Sequence, residues 1–179
     1  LRFEVEERMD AQGRVRTPLS LEDLDRVAAR IAAAEVEAVA IVFLHSYINP
    51  AHEIAAAERL AALLPGVAIA ASSAVSRQWR EYERGNTALL TAYVQPILTR
   101  YLANLDAALR HDGFDCPCYC MQSNGGLATF AGASAQPLSL VESGPSGGVA
   151  GAVRVGEALG EADILYLDVG GTTAKCSLV

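Results

Sequence analysis

The sequence predicts an α/β fold with a mixed, largely parallel sheet flanked by helices. Three observations carry that reading. Apolar runs of strand length alternate with stretches of helical periodicity; the runs are near-continuous, as in strands covered on both faces; and Gly, Pro and Asn punctuate the joins. With 51% hydrophobic residues among 179, the chain has core material for one domain or one lobe of a larger enzyme.

Each element has a local cause. Ser20 with Asp23 three residues on reads as a helix start, and Leu21, Leu24, Val27 and Ile31 follow at helical spacing. A buried strand is expected from about Val36 to Leu44. Asn49 and Pro50 then read as the cap and first position of a helix carrying Ile54, Leu60 and Leu63, which Pro65-Gly66 ends before the strand-like "VAIAASS". From about Glu81 to Leu109 the pattern is one or two helices, bent or divided at Pro96, and "CPCYCMQSNGG" returns to a strand that closes in a glycine turn. "ESGPSGGVAGAVRVGEALG" is a helix beginning near Gly144-Pro145. Glycine costs about 1 kcal/mol relative to alanine inside a helix, so Gly147, Gly148 and Gly151 imply close approach, either by a neighbouring element or by a ligand.

Composition excludes whole classes of partner. A formal charge of −7 and a pI near 4.9 argue against nucleic acid, whose backbone is bound by clustered Lys and Arg. No apolar run reaches the roughly 20 residues that span a bilayer, and Leu1 opens no signal-peptide pattern, so no membrane is expected and the compartment is read as cytoplasmic. Leu1 is not an initiator Met and Val179 lies in a strand pattern, which suggests an internal piece of a longer chain.

Three polar groups are assigned to structure. Cys116, Cys118 and Cys120 alternate, but only Cys176 and His111 could complete a metal set and paired ligand spacing is lacking; small apolar side chains on a buried strand face are expected. Arg77, Arg80 and Arg84 share a helical face with Glu81 and Glu83 nearby, and a charge network is favoured over an anion site. His45 and His52 are expected to be ordinary loop or packed histidines.

The strongest chemical signal is "DILYLDVGGTTAKCSLV". In a strand from Ile164 to Val169, Ile164, Tyr166 and Asp168 point one way and Leu165, Leu167 and Val169 the other. Gly170 and Gly171 let backbone N–H groups approach an anion, and Thr172 and Thr173 add hydroxyls. Asp168 beside a phosphate would require Mg²⁺ between them, with Asp168 as the metal residue. The same residues also suit a plain hairpin, and spacing alone leaves both readings open. Neither Gly-x-x-x-x-Gly-Lys-Ser/Thr nor Gly-x-Gly-x-x-Gly occurs.

A Gly-Pro-Ser-Gly-Gly helix followed by strand, Asp-x-Gly-Gly-Thr and strand resembles the nucleotide site of the actin, sugar kinase and heat-shock ATPase superfamily, whose members have two ribonuclease-H-like lobes. The resemblance implies that residues 1–158 form the carboxy-terminal part of a first such lobe including its connecting helix, and that 159–179 begin the second with a phosphate-binding hairpin. More closely, "SSAVSRQWREYERGNTALLTAYVQPILTRYL", "MQSNGG", "ESGPSGGVAGA" and "LDVGGTTAK" together resemble the hydantoinase A/5-oxoprolinase family.

That resemblance implies ATP and Mg²⁺ as cofactors, with Asp168 catalytic and metal-binding. It further implies that Gly170, Gly171, Thr172, Thr173, Gly144, Ser146 and Gly147 contact nucleotide, and that Asn124, Gly125 and Gly126 line the cleft. The implied activity is ATP-dependent opening of a small cyclic amide, a hydantoin or 5-oxoproline, with a B-type subunit or fused region as partner. An acetone or acetophenone carboxylase subunit and a non-catalytic ATPase module are the alternatives. The family's amino-terminal Asp-Gly-Gly-Thr loop and its adenosine-binding part are missing from this sequence, so the isolated piece is expected to be inactive. Lys175 receives no catalytic role, and a solvated or a phosphate-adjacent position is open to it.

Overall fold

The computed structural model describes all 179 residues. They form two compact units, Leu1–Leu98 and Thr99–Val179.

In the first unit, β1 (Arg8–Met9) and β2 (Val15–Thr17) pair antiparallel. Helix α1 (Leu21–Ala33) follows, then β3 (Ala38–Ile41), α2 (Ala51–Leu63), β4 (Ala68–Ala71) and a single turn, α3 (Ser72–Val75). The Ser20 side chain accepts the Asp23 N–H at 3.2 Å, satisfying one of the free donors of the first turn of α1. Leu24, Val27, Ala28 and Ile31 on one face of α1 close over Ile41 and over Ala56, Leu60 and Leu64 in and just after α2. Pro50, not Asn49, stands at the cap of α2, yet the Asn49 side chain still accepts the Ala51 N–H at 3.1 Å.

β3 and β4 pair in parallel, Ala38 opposite Ala68 through Ile41 opposite Ala71, with α2 as the crossover. Theirs is the one parallel ladder. The chain forms four two-stranded sheets rather than the continuous, largely parallel sheet expected, and the other three are antiparallel. The reading failed because apolar content sets strand propensity but not strand partners, which are tertiary. The fold remains α/β, with small sheets among helices.

Buried polar side chains tie the first unit together behind the parallel pair. Glu53 of α2 is fully buried and accepts from the Phe43 N–H (2.8 Å), the Ser72 hydroxyl (2.7 Å) and the Ser73 N–H (2.7 Å). Arg84, on helix α4 (Glu81–His111), is also fully buried. Its guanidinium donates to Ser72 Oγ (3.0 Å) and to the carbonyls of Gln78 (3.0 Å) and Phe43 (2.7 Å). Arg84 is therefore structural, while Arg80 pairs with Glu83 and lies over the Trp79 ring. His52 Nδ1 meets Glu7 at 2.8 Å in a largely buried pair, and His45 sits in the left-handed region at φ 58°.

α4 runs unbroken through Pro96. Within the second unit come the hairpin β5 (Tyr119–Met121) and β6 (Leu127–Thr129), α5 (Phe130–Ala135), a 3₁₀ turn at Pro137–Leu140, α6 (Ser143–Leu159) and the hairpin β7 (Leu165–Val169) and β8 (Ala174–Leu178). The strand expected from Cys116 starts only at Tyr119; Cys116 is exposed and Cys118 and Cys120 half-buried, so the three do not share a buried face. Pro117 lies between the first two, and the missing N–H of proline cannot serve a ladder. No helix is long and apolar enough to cross a membrane.

The buried network makes Glu53 a stability determinant of the first unit. Replacing Glu53 by Ala leaves two backbone donors and a hydroxyl unpaired and should cost about 2–4 kcal/mol in urea unfolding. Asp25→Ala, which breaks only the exposed Asp25–Arg59 pair, should leave the midpoint unmoved.

Candidate functional site

The candidate site lies entirely in the second unit, where three segments are joined by specific contacts. The first is the turn between β5 and β6. Gln122 N–H bonds the Gly126 carbonyl at 2.8 Å, Gly125 adopts φ 83°, and the Asn124 side-chain carbonyl accepts the Gly126 N–H at 2.8 Å. One half of the Asn124 amide thus builds the turn, in the manner of an Asx motif. The side chain is exposed.

The amino-terminal turn of α6 is the second. Glu142 precedes it in the left-handed region (φ 64°) and supplies no side-chain cap. No hydrogen-bond acceptor in the chain takes the Ser143 or Gly144 N–H, and Pro145 has none. A Cβ at Gly144 would meet nothing within 4 Å, so this backbone is open to approach. Ser146 is engaged differently from expectation: its hydroxyl lies 2.7 Å from the Ser123 carbonyl and 3.2 Å from that of Glu142, tethering α6 to the β5–β6 turn. Gly147 faces Met121 of β5, to which an added Cβ would stand at 3.6 Å, an ordinary contact.

The third segment is the β7–β8 hairpin. Asp168 pairs directly with Lys175, and Val169 with Ala174, leaving Gly170 to Thr173 as the connecting loop. Gly170 N–H donates to the Thr173 carbonyl at 2.8 Å, so that amide closes the loop, whereas those of Gly171 and Thr172 have no acceptor in the chain. The four loop residues are exposed. Tyr166, Asp168, Lys175 and Ser177 alternate as the half-buried face, and Leu165, Leu167, Val169, Cys176 and Leu178 form the exposed one.

The glycines of α6 seat this hairpin. A Cβ on Gly148 would overlap the Tyr166 hydroxyl, and one on Gly156 would overlap Ile164 and press on the Glu161 carbonyl at 2.9 Å. Lys175 forms an ion pair with Glu142 at the amino-terminal end of α6. Through these contacts, and through Ser146 on Ser123, the structure groups Asn124–Gly126, Gly144–Gly147 and the Asp168–Thr173 segment about one helix end. Of the glycines flagged by their cost, Gly148 answers to packing and Gly147 to ordinary contact, while Gly151 faces open space.

Sequence reasoning gave no role to Tyr166 or Glu142, of which Tyr166 carried a usable signal in its parity with Asp168; Ser123, placed with Gln122 and Asn124 at a strand end where ligands bind, instead holds α6 through its carbonyl. The cysteines lie elsewhere: Cys118 lines an open cleft of about 430 Å³ with Leu102, Arg110 and Phe130, which none of the glycine-loop residues touch. Burial, and then the neighbouring Cys118, pushes the Cys120 thiol up from its ordinary pKa. No three His, Cys, Asp or Glu side chains converge as metal ligands.

An open helix end facing a glycine loop with unpaired amides defines a class of site suited to anionic groups. Residues 84–179 match the hydantoinase/oxoprolinase family, and residues 1–64 match the amino-terminal region of hydantoinase/oxoprolinase proteins. The chain belongs to the hydantoinase/oxoprolinase family. It is 39% identical over 178 residues to protein MJ0964 of Methanocaldococcus jannaschii, covering 99% of this chain and 26% of that protein. It is 34% identical over 144 residues to the caprolactamase subunit alpha of Pseudomonas jessenii, covering 80% of this chain and 21% of that one. A nucleotide-free structure of acetone carboxylase superposes with a TM-score of 0.85 at 28% identity, over 97% of this chain and 25% of the other. The chain therefore spans about a quarter of the length of the relatives it matches.

The glycine seat is open to direct test. Gly148→Ala and Gly156→Ala should each lower the unfolding free energy by about 1–3 kcal/mol through overpacking. Gly151→Ala, with nothing in its way, should raise it by up to about 1 kcal/mol. Urea unfolding of the three variants reads both signs, and equal effects at all three positions would contradict the geometry.

Proposed function

We propose that this chain is part of an ATP-dependent enzyme that opens a small cyclic amide, with the α6 end and the Gly170–Thr173 loop receiving the nucleotide's phosphates. The observation that carries the reading is that backbone donors lack acceptors both at Ser143 and Gly144, next to the Glu142 that Lys175 pairs with, and at Gly171 and Thr172 in the loop after Asp168, in a member of this family. A lactam-opening relative, caprolactamase, supports the substrate class.

The chemistry explains why nucleotide is needed. An amide is a poor electrophile. Transfer of the γ-phosphoryl group to the amide oxygen releases ADP and activates the carbon; water adds there, the ring C–N bond breaks with protonation of the departing nitrogen to leave an acyl phosphate, and a second water converts that to carboxylate and free phosphate. The protein's contribution to such a reaction is orientation and charge stabilisation. Backbone N–H groups at Gly171 and Thr172 would bind phosphate oxygens without a basic side chain, and the open surface at Gly144 would admit them to the helix end.

Magnesium fits as a companion of the nucleotide rather than as a resident ion. Asp168 is a single half-buried carboxylate, and Mg²⁺ is commonly held by one or two carboxylates together with substrate phosphates and water. Asp168 would hold it, and the ion would supply charge neutralisation at the phosphates. Gly125 and Gly126, with the free half of the Asn124 amide, are proposed to face the substrate side of the cleft. A B-type subunit or fused region is the proposed partner, since the named caprolactamase relative is itself a subunit.

The likeness to acetone carboxylase favours a second reading, in which the same phosphate chemistry activates a ketone and bicarbonate. A phosphate-release screen of the complete protein with hydantoins, 5-oxoproline, caprolactam and acetone plus bicarbonate separates them. The expected result is stimulation by a cyclic amide with a ring-opened product in the mass spectrum; a carboxylated ketone with every lactam intact would assign the carboxylase reaction instead. In the same assay Asp168→Asn should lower Mg²⁺-dependent ATP turnover by about 100-fold or more without loss of fold. Turnover at the wild-type rate would remove Asp168 from the site.

A further inference from the structure

We infer that Lys175 and Glu142 form a latch that positions the Gly170–Thr173 loop against the amino-terminal turn of α6. The inference rests on the nucleotide reading above for its functional consequence, but not for its geometry.

Lys175 is placed for this by two independent constraints. Antiparallel register sets it directly opposite Asp168, two residues beyond the loop, and strand parity turns it to the half-buried face shared with Tyr166. Its ammonium then pairs with Glu142, the residue immediately before α6. Glu142 would ordinarily be the position to cap the first turn of α6, yet its backbone is left-handed and its carboxylate caps nothing. It reaches β8 instead. One end of the latch is therefore fixed to the loop and the other to the helix end, so the pair sets the distance between the two groups of unpaired backbone donors.

The other contacts of the hairpin cannot do the same. Tyr166 on Gly148 and Ile164 on Gly156 seat β7 along the body of α6, away from the loop. Without Lys175 the strand seat would persist while the loop end could lift. Charge adds a second effect: the ammonium beside Asp168 offsets one of the two carboxylates that an incoming phosphate meets. Lys175 is accordingly a positioning residue, acting through the loop and not on the reacting atoms.

The test combines amide exchange with kinetics on Lys175→Met, Glu142→Gln, the double variant and Lys175→Arg, all in the complete protein. Exchange of the Gly170 amide, protected by its bond to Thr173, should quicken by up to about fivefold in either single variant, the range an exposed ion pair supports. KM for MgATP should rise by a similar factor with kcat within about twofold, the double variant should be no worse than either single one, and Lys175→Arg should stay near wild type. Unchanged exchange in both single variants, additive effects in the double variant, or a fall in kcat with KM unchanged would each overturn the latch. Wild-type protein that binds no MgATP would sink the nucleotide reading instead, and the exchange measurement would still decide the latch.

Discussion

The arrangement of the second unit depends on the absence of side chains at Gly148 and Gly156. With Cβ atoms there, Tyr166 and Ile164 could not occupy their positions, and β7 would stand away from α6. Close packing leaves little room for compromise, since a displacement of one methyl group is felt throughout a packed interface. Once β7 is seated, everything downstream follows from register. Asp168 lies two residues beyond Tyr166 on the same face, the four-residue loop begins two residues later, and β8 returns Lys175 opposite Asp168. Two glycines on a helix thus fix where a carboxylate and a loop meet that helix's amino-terminal end.

The first unit solves a different problem. Its parallel pair is only four residues long on each side and consists largely of alanine, so side-chain packing on the strands is thin. Glu53, Ser72 and Arg84 supply partners for the backbone just past the carboxyl ends of both strands: Phe43 after β3, and Ser73 after β4. A buried network of this type is favourable only when each member is satisfied, because any orphaned group carries its full desolvation cost. Here the carboxylate accepts three hydrogen bonds and the guanidinium donates three, which holds the two loops in fixed conformations.

What could be read from sequence divides by distance along the chain. The Ser20 cap, the α1 stripe from Leu24 to Ile31, the end of α2 near Pro65 and the hairpin around Gly170-Gly171 all depend on residues within a turn or two of one another, and all are present. The three-member network was invisible because Ser72 lies 19 residues from Glu53 and 12 from Arg84, while Arg84 reaches 41 residues back to Phe43. The arginine itself was marked as structural, but its partners were not. The candidate site shows the same limit. Glycine cost predicted a close approach to α6, yet nothing local identified Tyr166 as the visitor or joined Glu142 to Lys175 across 33 residues. Likewise the apolar runs predicted strands but not four separate ladders, because pairing is decided by what else is near.

The β7–β8 hairpin separates its side chains by face. Tyr166, Asp168, Lys175 and Ser177 face the side of α6, whereas Leu165, Leu167, Val169 and Leu178 are all more than 60% exposed. The Lys175–Glu142 ion pair is solvent-exposed and contributes little to stability. The polar face is the one from which Lys175 reaches Glu142 at the amino-terminal end of α6. Gly148 lets the Tyr166 end of that face lie directly against the helix, and Gly144, with nothing within 4 Å of where its Cβ would stand, leaves the first turn of α6 uncovered.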